Sequence, residues 1–234
     1  MTWSRWDAWS RWDAQGNIYL VTTERLTPEL VRAEVGDADG ILEVFRSGED
    51  WLEIAIWNPD GSRAEMSGNG TRIAATWLAA ETGARTVTVR VGPREVTARL
   101  LDDGLVEQDM GDIEVGEPET AAGITFRAVD VGNPHAVVDG DPVEIGRIGP
   151  LLEVHERFPR RTNVQIGRRV SENEIEARVW ERGAGETAAS GSSAVAVAAA
   201  FGCERVRIVF PGGPLDVRFE GRRAFLTGPA RRVG

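Results

Sequence analysis

The sequence predicts an α/β protein with two similar halves, and three observations support this prediction. Short runs of alternating apolar residues, such as WLEIAIW and TVTVRV, are typical of half-buried strands. Each half contains a Ser-Gly step, at Ser67 and at Ser190, that leads into an alanine-rich stretch typical of a helix. A Gly-Asn pair, which ends at Asn17 or at Asn133, precedes a strand in both halves. This shared order indicates a duplicated lobe.

In the first half, the strand IYLV is expected directly after Asn17, and the segment TPE that follows is a helix-start signal. ILEVF and WLEIAIW are expected as strands, and the turn NPDG, which begins at Asn58, ends the second of them. The helix that starts after Ser67 should run to about Thr82 and be capped by Gly83. TVTVRV, EVTARLL and LVEQDMG are expected as three further strands.

The second half repeats this plan. FRAVDVGNPHAVV indicates strand, turn and strand, IGRIGPLLEV a short helix, and NVQIGRRV and EIEARVWER two strands. The helix ASGSSAVAVAAA follows, and then the strands VRIVF, LDVRFEG and AFLTGPARRV. Glu, Pro and Gly collect in Gly111–Gly123, so the boundary between the halves is expected there. The pentapeptide SRWDA occurs at 4–8 and again at 10–14 and is interpreted as a local duplication without function.

Charge and composition exclude several classes of protein. The formal net charge of −10 argues against a nucleic-acid or anionic-membrane surface, and no apolar run approaches the roughly 18 residues of a membrane span. The N-terminal segment lacks an apolar signal core, so a cytoplasmic protein is expected. All 27 basic residues are arginine, so there is no lysine for a pyridoxal-phosphate Schiff base or a P-loop. With one cysteine and two histidines, a metal centre is not expected.

The two Ser-Gly steps are candidate anion-binding sites. The first N–H groups of a helix and the positive end of its dipole point at the same spot. Two such helix starts facing each other would hold a substrate carboxylate, with Ser67 and Ser190 on opposite sides of a small molecule. Inversion of a stereocentre needs one group that removes a proton and another that delivers one to the opposite face. The pseudo-symmetric serines therefore indicate this reaction class.

Eight motifs, taken together and in order, resemble diaminopimelate epimerase, a family of cofactor-independent amino-acid racemases whose fold is shared with proline racemases and phenazine-biosynthesis isomerases. The motifs are QGN (15–17), DADGIL (37–42), NPDGSRAEMSGNGTR (58–72), VGNPH (131–135), FPRRTNV (158–164), ERGAGETAASG (181–191), FPGGPL (210–215) and LTGPA (226–230). The resemblance implies lobes at 1–115 and 116–223, with a last strand within 224–234 returning to the first lobe. Each lobe is expected to be a mixed, mostly antiparallel sheet around a central helix, and a homodimer is the family expectation.

The resemblance also implies which residues form the site. Ser67 and Ser190 occupy the positions of the two catalytic residues, and Glu181 and His135 are expected beside them. The residues expected to bind the substrate are Asn17, Asn58, Gly68, Asn69, Asn133, Asn163, Arg182, Gly191 and Ser192. The asparagines would hold carboxylates and amines, and Arg182 the distal carboxylate. The implied reaction interconverts LL- and meso-diaminopimelate for lysine and cell-wall precursor supply.

The two serines depart from the family pattern, in which both catalytic positions are cysteine, one acting as thiolate base and the other as thiol acid. A thiol pKa of ~8.5 can be tuned towards neutral pH, whereas the pKa of a hydroxyl lies nearer ~15.7. A gap of ~5–7 pKa units corresponds to roughly 7–10 kcal/mol for each base. A helix N-terminus supplies only ~1–2 kcal/mol. Weak or absent turnover is therefore expected.

Three explanations of the serines stay open. The chain is an engineered double Cys→Ser form, a natural homologue that uses His135 or Glu181 as its base, or a natural binder without catalysis. The alternatives for function are a non-catalytic amino-acid-binding homologue and a related racemase, isomerase or dehydratase of the same fold. The Glu181-Arg182 pair and the TNV segment favour a substrate with a second charged end. Cys203 and His155 match no catalytic motif and are interpreted as structural.

Overall fold

The structure is a computed structural model that describes residues 9–233. The first copy of SRWDA, at 4–8, lies outside the described residues. The second copy, for which the sequence predicts no element, lies in a strand that pairs along its whole length with the strand after it. Trp12 and Ala14 of this copy are buried in the core, so the copy has a structural role that the interpretation as a duplication without function missed.

The elements of the fold alternate strands with a few helices. The first are β1 (Trp9–Ala14), β2 (Asn17–Thr22), α1 (Pro28–Glu34), β3 (Gly40–Ser47), β4 (Trp51–Trp57), β5 (Arg63–Ala64), α2 (Gly68–Thr82), β6 (Thr86–Val91), β7 (Arg94–Leu100) and β8 (Leu105–Asp112). They are followed by β9 (Glu114–Ala121), β10 (Ile124–Asp130), β11 (Pro134–Asp139), α3 (Ile145–Glu153), β12 (Asn163–Ser171), β13 (Glu174–Glu181), β14 (Gly185–Thr187), α4 (Gly191–Ala200), β15 (Arg205–Phe210), β16 (Gly213–Glu220), β17 (Arg223–Pro229) and β18 (Arg231–Arg232).

The chain folds into two compact units. Unit 1 contains the described residues up to Gln108 together with those from Gly228 onward, and unit 2 is Asp109–Thr227. In unit 1, β1 and β2 form an antiparallel hairpin, β2 runs parallel to β3, β3 antiparallel to β4, and β4 parallel to β6. β6, β7 and β8 continue as an antiparallel meander, and β18 pairs with β1.

Unit 2 repeats this topology. β10 and β11 are antiparallel, β11 is parallel to β12, β12 is antiparallel to β13, and β13 is parallel to β15. β15, β16 and β17 form the matching meander, and β9 pairs with β10 as β18 pairs with β1. The predicted fold class is confirmed: the protein is α+β, with two pseudo-symmetric lobes whose sheets are mixed and mostly antiparallel.

A central helix lies in the core of each unit. In α2, Ile73, Ala74 and Leu78 belong to the cluster that the strands of unit 1 bury, and α4 contributes a run of alanine and valine side chains to the main core of unit 2. Local signals define α2, because Ser67 caps its start and Gly83 ends it in the left-handed region, with φ of 77°. The predicted extent of this helix is confirmed.

The segment Gly111–Gly123, in which the sequence places the boundary between the halves, contains β9. In the described part of the chain, β9 pairs with one neighbour, β10. A strand paired on one side tolerates Pro118, because proline lacks the N–H that a second neighbour would need. Among residues 9–233, no helix is long and apolar enough to cross a membrane.

Two glycines of α3 should respond in opposite ways to substitution by alanine. A Cβ at Gly149 would lie 2.6 Å from Cβ and Cγ of Trp180, whereas a Cβ at Gly146 would meet nothing within 4 Å. Gly149→Ala should therefore destabilise the protein by about 1–3 kcal/mol through overpacking. Gly146→Ala should leave stability equal or raise it by about 0.5–1 kcal/mol, since alanine favours the helix. Urea unfolding of both variants checks this, and equal midpoints would contradict the described packing of Trp180.

Candidate functional site

The start of α2 in unit 1 contains Ser67, which is half-buried with extended backbone at φ of −145°. Its Oγ accepts hydrogen bonds from the N–H of Gly70 at 3.0 Å and from the hydroxyl of Tyr19 at 3.2 Å. Tyr19 lies in β2, where Gly40 makes room for its ring: a Cβ at position 40 would lie 2.7 Å from a ring carbon of Tyr19. The glycine of the DADGIL motif therefore allows the contact between Tyr19 and Ser67.

Two predicted binding residues of unit 1, Asn17 and Asn69, lie together. Asn17 begins β2, and its Oδ1 accepts a hydrogen bond from Nδ2 of Asn69 at 3.3 Å. Oδ1 of Asn69 in turn accepts one from Nη2 of Arg72 at 2.5 Å. Burial lowers the pKa of Arg72 to about 10, so its guanidinium remains charged at neutral pH. Two amides and one buried cation thus form a connected chain beside the start of α2.

The other asparagine predicted in unit 1, Asn58, holds a turn. Its backbone N–H donates to the carbonyl oxygen of Ser62 at 2.9 Å, and its Nδ2 donates to Oγ of Ser62 at 2.9 Å. The contacts of Asn58 therefore lie within its own NPDGS turn, whereas Asn17 is hydrogen-bonded to another predicted binding residue, Asn69.

The start of α4 in unit 2 is equivalent to that of α2. Ser190 precedes the helix with nearly the same backbone angles as Ser67, φ of −144° and ψ of 129°, and it is buried. Within the described residues, its side chain makes no capping hydrogen bond to the helix. Gly191 and Ser192 follow as the first helical residues, so their N–H groups belong to the set that lacks intrahelical acceptors. Backbone donors are therefore available at this helix start.

A buried chain of polar side chains supports Asn133 in unit 2. Nε2 of His135 lies 3.0 Å from Oδ1 of Asn133, and Nδ1 of His135 lies 3.0 Å from Nε2 of Gln165. Gln165 also donates to Oγ of Ser193 at 2.9 Å. Because Oδ1 of Asn133 accepts, Nε2 of His135 carries the ring proton in this arrangement. Asn133 is thereby oriented with its amide oxygen toward the protein, as Asn17 is in unit 1.

The environment of His135 does not favour the expectation that it transfers protons. The ring is fully buried, and burial lowers the pKa of His135 to about 3, with the positive charge of Arg182 acting in the same direction. The imidazole is therefore neutral at physiological pH. A base with so low a pKa would be ineffective in removing the proton of a carbon acid. Both ring nitrogens already have partners, so the geometry favours a role in orienting Asn133.

Glu181 and Arg182 lie where β13 turns into β14. Oδ1 of Asn163 accepts the backbone N–H of Arg182 at 3.0 Å, and Oε1 of Glu181 accepts a hydrogen bond from the hydroxyl of Thr187 at 2.5 Å. The amide nitrogen of Asn163 donates to the carbonyl oxygen of Pro134 at 3.0 Å. Asn163 therefore fixes the turn that carries Arg182 to the neighbouring strand β11.

Glu153, at the end of α3, holds the same turn from the other side. Its Oε1 accepts the N–H of Gly183 at 2.9 Å, and its Oε2 accepts the indole N–H of Trp180 at 2.7 Å. Burial raises the pKa of Glu153, but the bonds from Trp180 and Gly183 and the charge of Arg161 together hold that pKa below its usual value. The carboxylate is therefore an ionised anchor for the Glu181-Arg182 turn.

Sequence reasoning missed four residues of these networks: Tyr19, Arg72, Glu153 and Gln165. A signal for Tyr19 was present, because it follows Asn17 by two positions just as His135 follows Asn133. The residues interpreted as structural make local contacts: Nδ1 of His155 accepts the N–H of Arg157, and the Sγ of Cys203 lies 3.3 Å from Nη2 of Arg169. In the described part of the chain, no group of three or more His, Cys, Asp or Glu is arranged to hold a metal ion.

Comparisons with known proteins agree with this architecture. A family model described as diaminopimelate epimerase matches residues 20–115 and 127–233. A diaminopimelate epimerase from Pelotomaculum thermopropionicum is 36% identical over 228 residues, which cover 84% of this chain and 81% of the relative. Among solved structures, an epimerase from Pseudomonas aeruginosa, described as predicted, has a TM-score of 0.77 at 17% identity, covering 97% of this chain and 96% of that one. A hydroxyproline epimerase from Agrobacterium vitis has a TM-score of 0.71 at 14% identity, covering 97% and 89%.

The chain therefore shares its fold with these two solved structures. The family model spans most of both units. The alignment with the Pelotomaculum relative, at 36% identity, covers about four fifths of each chain. The chain belongs to the diaminopimelate epimerase family, and by family it is an isomerase of the epimerase type.

Replacement of Glu153 by glutamine should loosen the Glu181-Arg182 turn. Glutamine offers one carbonyl oxygen, so either Gly183 or Trp180 loses its acceptor, at a cost of about 1–3 kcal/mol. Because the native pKa of Glu153 is lowered, its contribution is present above the ordinary carboxyl value of 4.5 and is lost as pH falls through the lower folded value. Thermal unfolding should therefore show a difference between native protein and Glu153→Gln at pH 7 that shrinks toward pH 3.

The exposed neighbour Glu156 provides the matched control. Glu156→Gln should unfold at the native temperature at both pH values, and amide hydrogen exchange at Gly183 should accelerate in Glu153→Gln alone. If exchange at Gly183 is the same in both variants, Glu153 does not anchor the turn.

Proposed function

We propose that this protein acts on diaminopimelate, interconverting its LL and meso forms by proton transfer at the α-carbon, with Ser67 and Ser190 at the two acid/base positions. The observation that carries the proposal is the equivalence of these serines: each directly precedes the central helix of one repeat, with nearly the same backbone angles, in a chain of the diaminopimelate epimerase family. A reaction that inverts a stereocentre needs two such positions, one to accept and one to deliver a proton.

Substrate binding is assigned in this proposal to the donors around the two helix starts. The side chains are Asn17, Asn58, Asn69, Asn133, Asn163, Glu181 and Arg182, and the backbone donors are Gly68, Gly191 and Ser192. The amide oxygens of Asn17 and Asn133 bond inside their own units, which supports a role for their N–H groups toward a carboxylate. Oδ1 of Asn163 accepts the backbone N–H of Arg182. In this proposal Asn163 therefore acts mainly by positioning Arg182, which binds the distal carboxylate.

Turnover is proposed to be weak, because in the described residues neither serine side chain is hydrogen-bonded to a His, Asp or Glu that could act as its base. Oγ of Ser67 accepts from the N–H of Gly70 and the hydroxyl of Tyr19, and two neutral donors and a helix N-terminus offset only a few kcal/mol. Ionising serine in place of cysteine requires roughly 7–10 kcal/mol more. Of the two alternative bases, His135 is disfavoured, because burial lowers its pKa to about 3 and both of its ring nitrogens have partners.

The second candidate function is amino-acid binding without catalysis. The replacement of both proton-transfer positions by serine favours it, because the binding groups of each unit are present while the thiols are absent. A related racemase, isomerase or dehydratase activity is the third candidate and is disfavoured by Arg182, which suits a substrate with a second carboxylate. In either case the proposed partner is a small amino acid, and the net charge of −10 disfavours nucleic acids and anionic membranes. A cytoplasmic homodimer is the proposed location and assembly.

Exchange of the α-proton separates catalysis from binding. When LL-diaminopimelate is incubated with the protein in heavy water, we expect binding, seen as a rise in unfolding temperature, without fast loss of the α-proton signal in the NMR spectrum. Rapid α-deuteration would show that the serine argument is wrong. Stabilisation by proline or hydroxyproline, with none by diaminopimelate, would move the chain to the proline-racemase branch of the fold.

Restoring the thiols should restore the reaction. The double variant Ser67→Cys and Ser190→Cys should exceed the native exchange rate by several orders of magnitude, on the basis of the ~5–7 unit difference in pKa. Ser171→Cys, at an exposed position at the end of β12, is the control for an added thiol and should exchange at the native rate. An unchanged rate in the folded double variant would contradict the proposed epimerase activity.

A further inference from the structure

Arg72 is buried in a way that costs stability. It lies in the first turns of α2 and is fully shielded from solvent. Its hydrogen-bond partners include Oδ1 of Asn69 at 2.5 Å, the carbonyl oxygen of Gly68 at 3.3 Å and that of Pro229 at 3.5 Å. In the part of the chain that the structure describes, no carboxylate pairs with this guanidinium. A charge without a counter-ion is rarely kept in a protein interior unless something else compensates it.

The position of Arg72 in its helix adds to this cost. The first turns of a helix carry partial positive charge, which favours anions and disfavours cations. Arg72 places a full positive charge at that end. The equivalent position of α4, five residues after Ser190 as Arg72 is five after Ser67, is the apolar Val195. The fold itself therefore does not need a cation there, and the arginine is specific to unit 1.

The contacts of Arg72 lead outward to two predicted binding residues. By holding Oδ1 of Asn69, Arg72 turns Nδ2 of Asn69 toward Oδ1 of Asn17. With its oxygen engaged, Asn17 has its own Nδ2, a double donor, directed away from Asn69. Asn17 is partly exposed, and among residues 9–233 its Nδ2 has no hydrogen-bond partner. One buried cation thus sets the orientation of two amides in succession.

We propose that Arg72 is a positioning residue that, through Asn69, fixes the amide of Asn17 as an outward-facing donor and makes this part of unit 1 select a carboxylate of the substrate over an ammonium group. The bound carboxylate supplies the negative charge that Arg72 lacks inside the protein. This inference rests on the proposed function, because it assigns a substrate carboxylate to Asn17.

The test compares Arg72→Met, Arg72→Lys and the control Arg90→Met, which removes an exposed arginine paired with Glu95 in the same unit. Isothermal titration with meso-diaminopimelate should give a dissociation constant about 10-fold or more weaker for Arg72→Met, an intermediate value for Arg72→Lys, and the native value for Arg90→Met. The unfolding temperature of Arg72→Met should be equal to or higher than that of the native protein, since an apolar side chain of similar size replaces a desolvated charge.

The opposite pattern would overturn the inference. If Arg72 were only structural, Arg72→Met would unfold at a lower temperature and bind diaminopimelate within about twofold of the native affinity. If the methionine variant does not fold, Arg72→Lys decides, because it keeps the charge but cannot hold Asn69 as a planar guanidinium does. Native affinity in that variant would also overturn the inference.

A measurement without ligand separates this inference from the proposed function. The side-chain amide resonances of Asn69 and Asn17 should both shift in Arg72→Met, although only Asn69 contacts Arg72 directly. If the native protein does not bind diaminopimelate, the proposed function fails while this result still decides the orientation of the amides. If both resonances keep their native positions, Arg72 does not orient the amides.

Discussion

Each unit depends on a helix whose first turn is buried within its own sheet. In unit 1, Asn69 and Gly70 are buried, and in unit 2, Gly191 and Ser193 are buried. A buried helix start carries N–H groups that the helix cannot satisfy, so acceptors must come from elsewhere. In unit 1, Ser67 supplies one of them. In the described residues of unit 2, the side chain of Ser190 does not accept such a bond. The N–H groups at the start of α4 are therefore left as donors for a ligand.

The two units meet this shared constraint with different chemistry. Behind the asparagine of unit 1 lie an amide and a charged guanidinium, whereas behind that of unit 2 lies a neutral imidazole hydrogen-bonded to Gln165. In both, the asparagine oxygen is held inside, and the amide nitrogen is left for a partner. The two units therefore share the orientation of the amide, whereas the groups that enforce it differ. Equivalent positions in the two units can thus have similar surfaces and unequal charges.

Local signals in the sequence predicted the elements that they control. The start and end of α2 were predictable because a capping serine and a left-handed glycine act within a few residues. β1 was not, because Trp9 and Trp12 are three positions apart and so break the alternation of a half-buried strand. Pairing with β2 decides its structure. β9 was not predicted, because glutamate and proline are rare in strands. Proline is tolerated here because, within residues 9–233, β9 pairs on one side only. Asn17 and Asn69 were predicted as binding residues from their motifs, whereas Arg72 was not singled out, since nothing in a sequence marks an arginine as fully buried.

The discontinuity of unit 1 has a consequence for biosynthesis. Unit 2 is one continuous segment, whereas unit 1 needs the pairing of β18 with β1, in which Trp12 lies opposite Arg232. The bond from Arg231 to Asp13 beside it joins positions 218 residues apart. On the ribosome, residues 109–227 therefore emerge as one continuous unit. Until β18 has been synthesised, the edge of β1 that pairs with it stays unpaired. The segment translated after unit 2 supplies the last strand of unit 1.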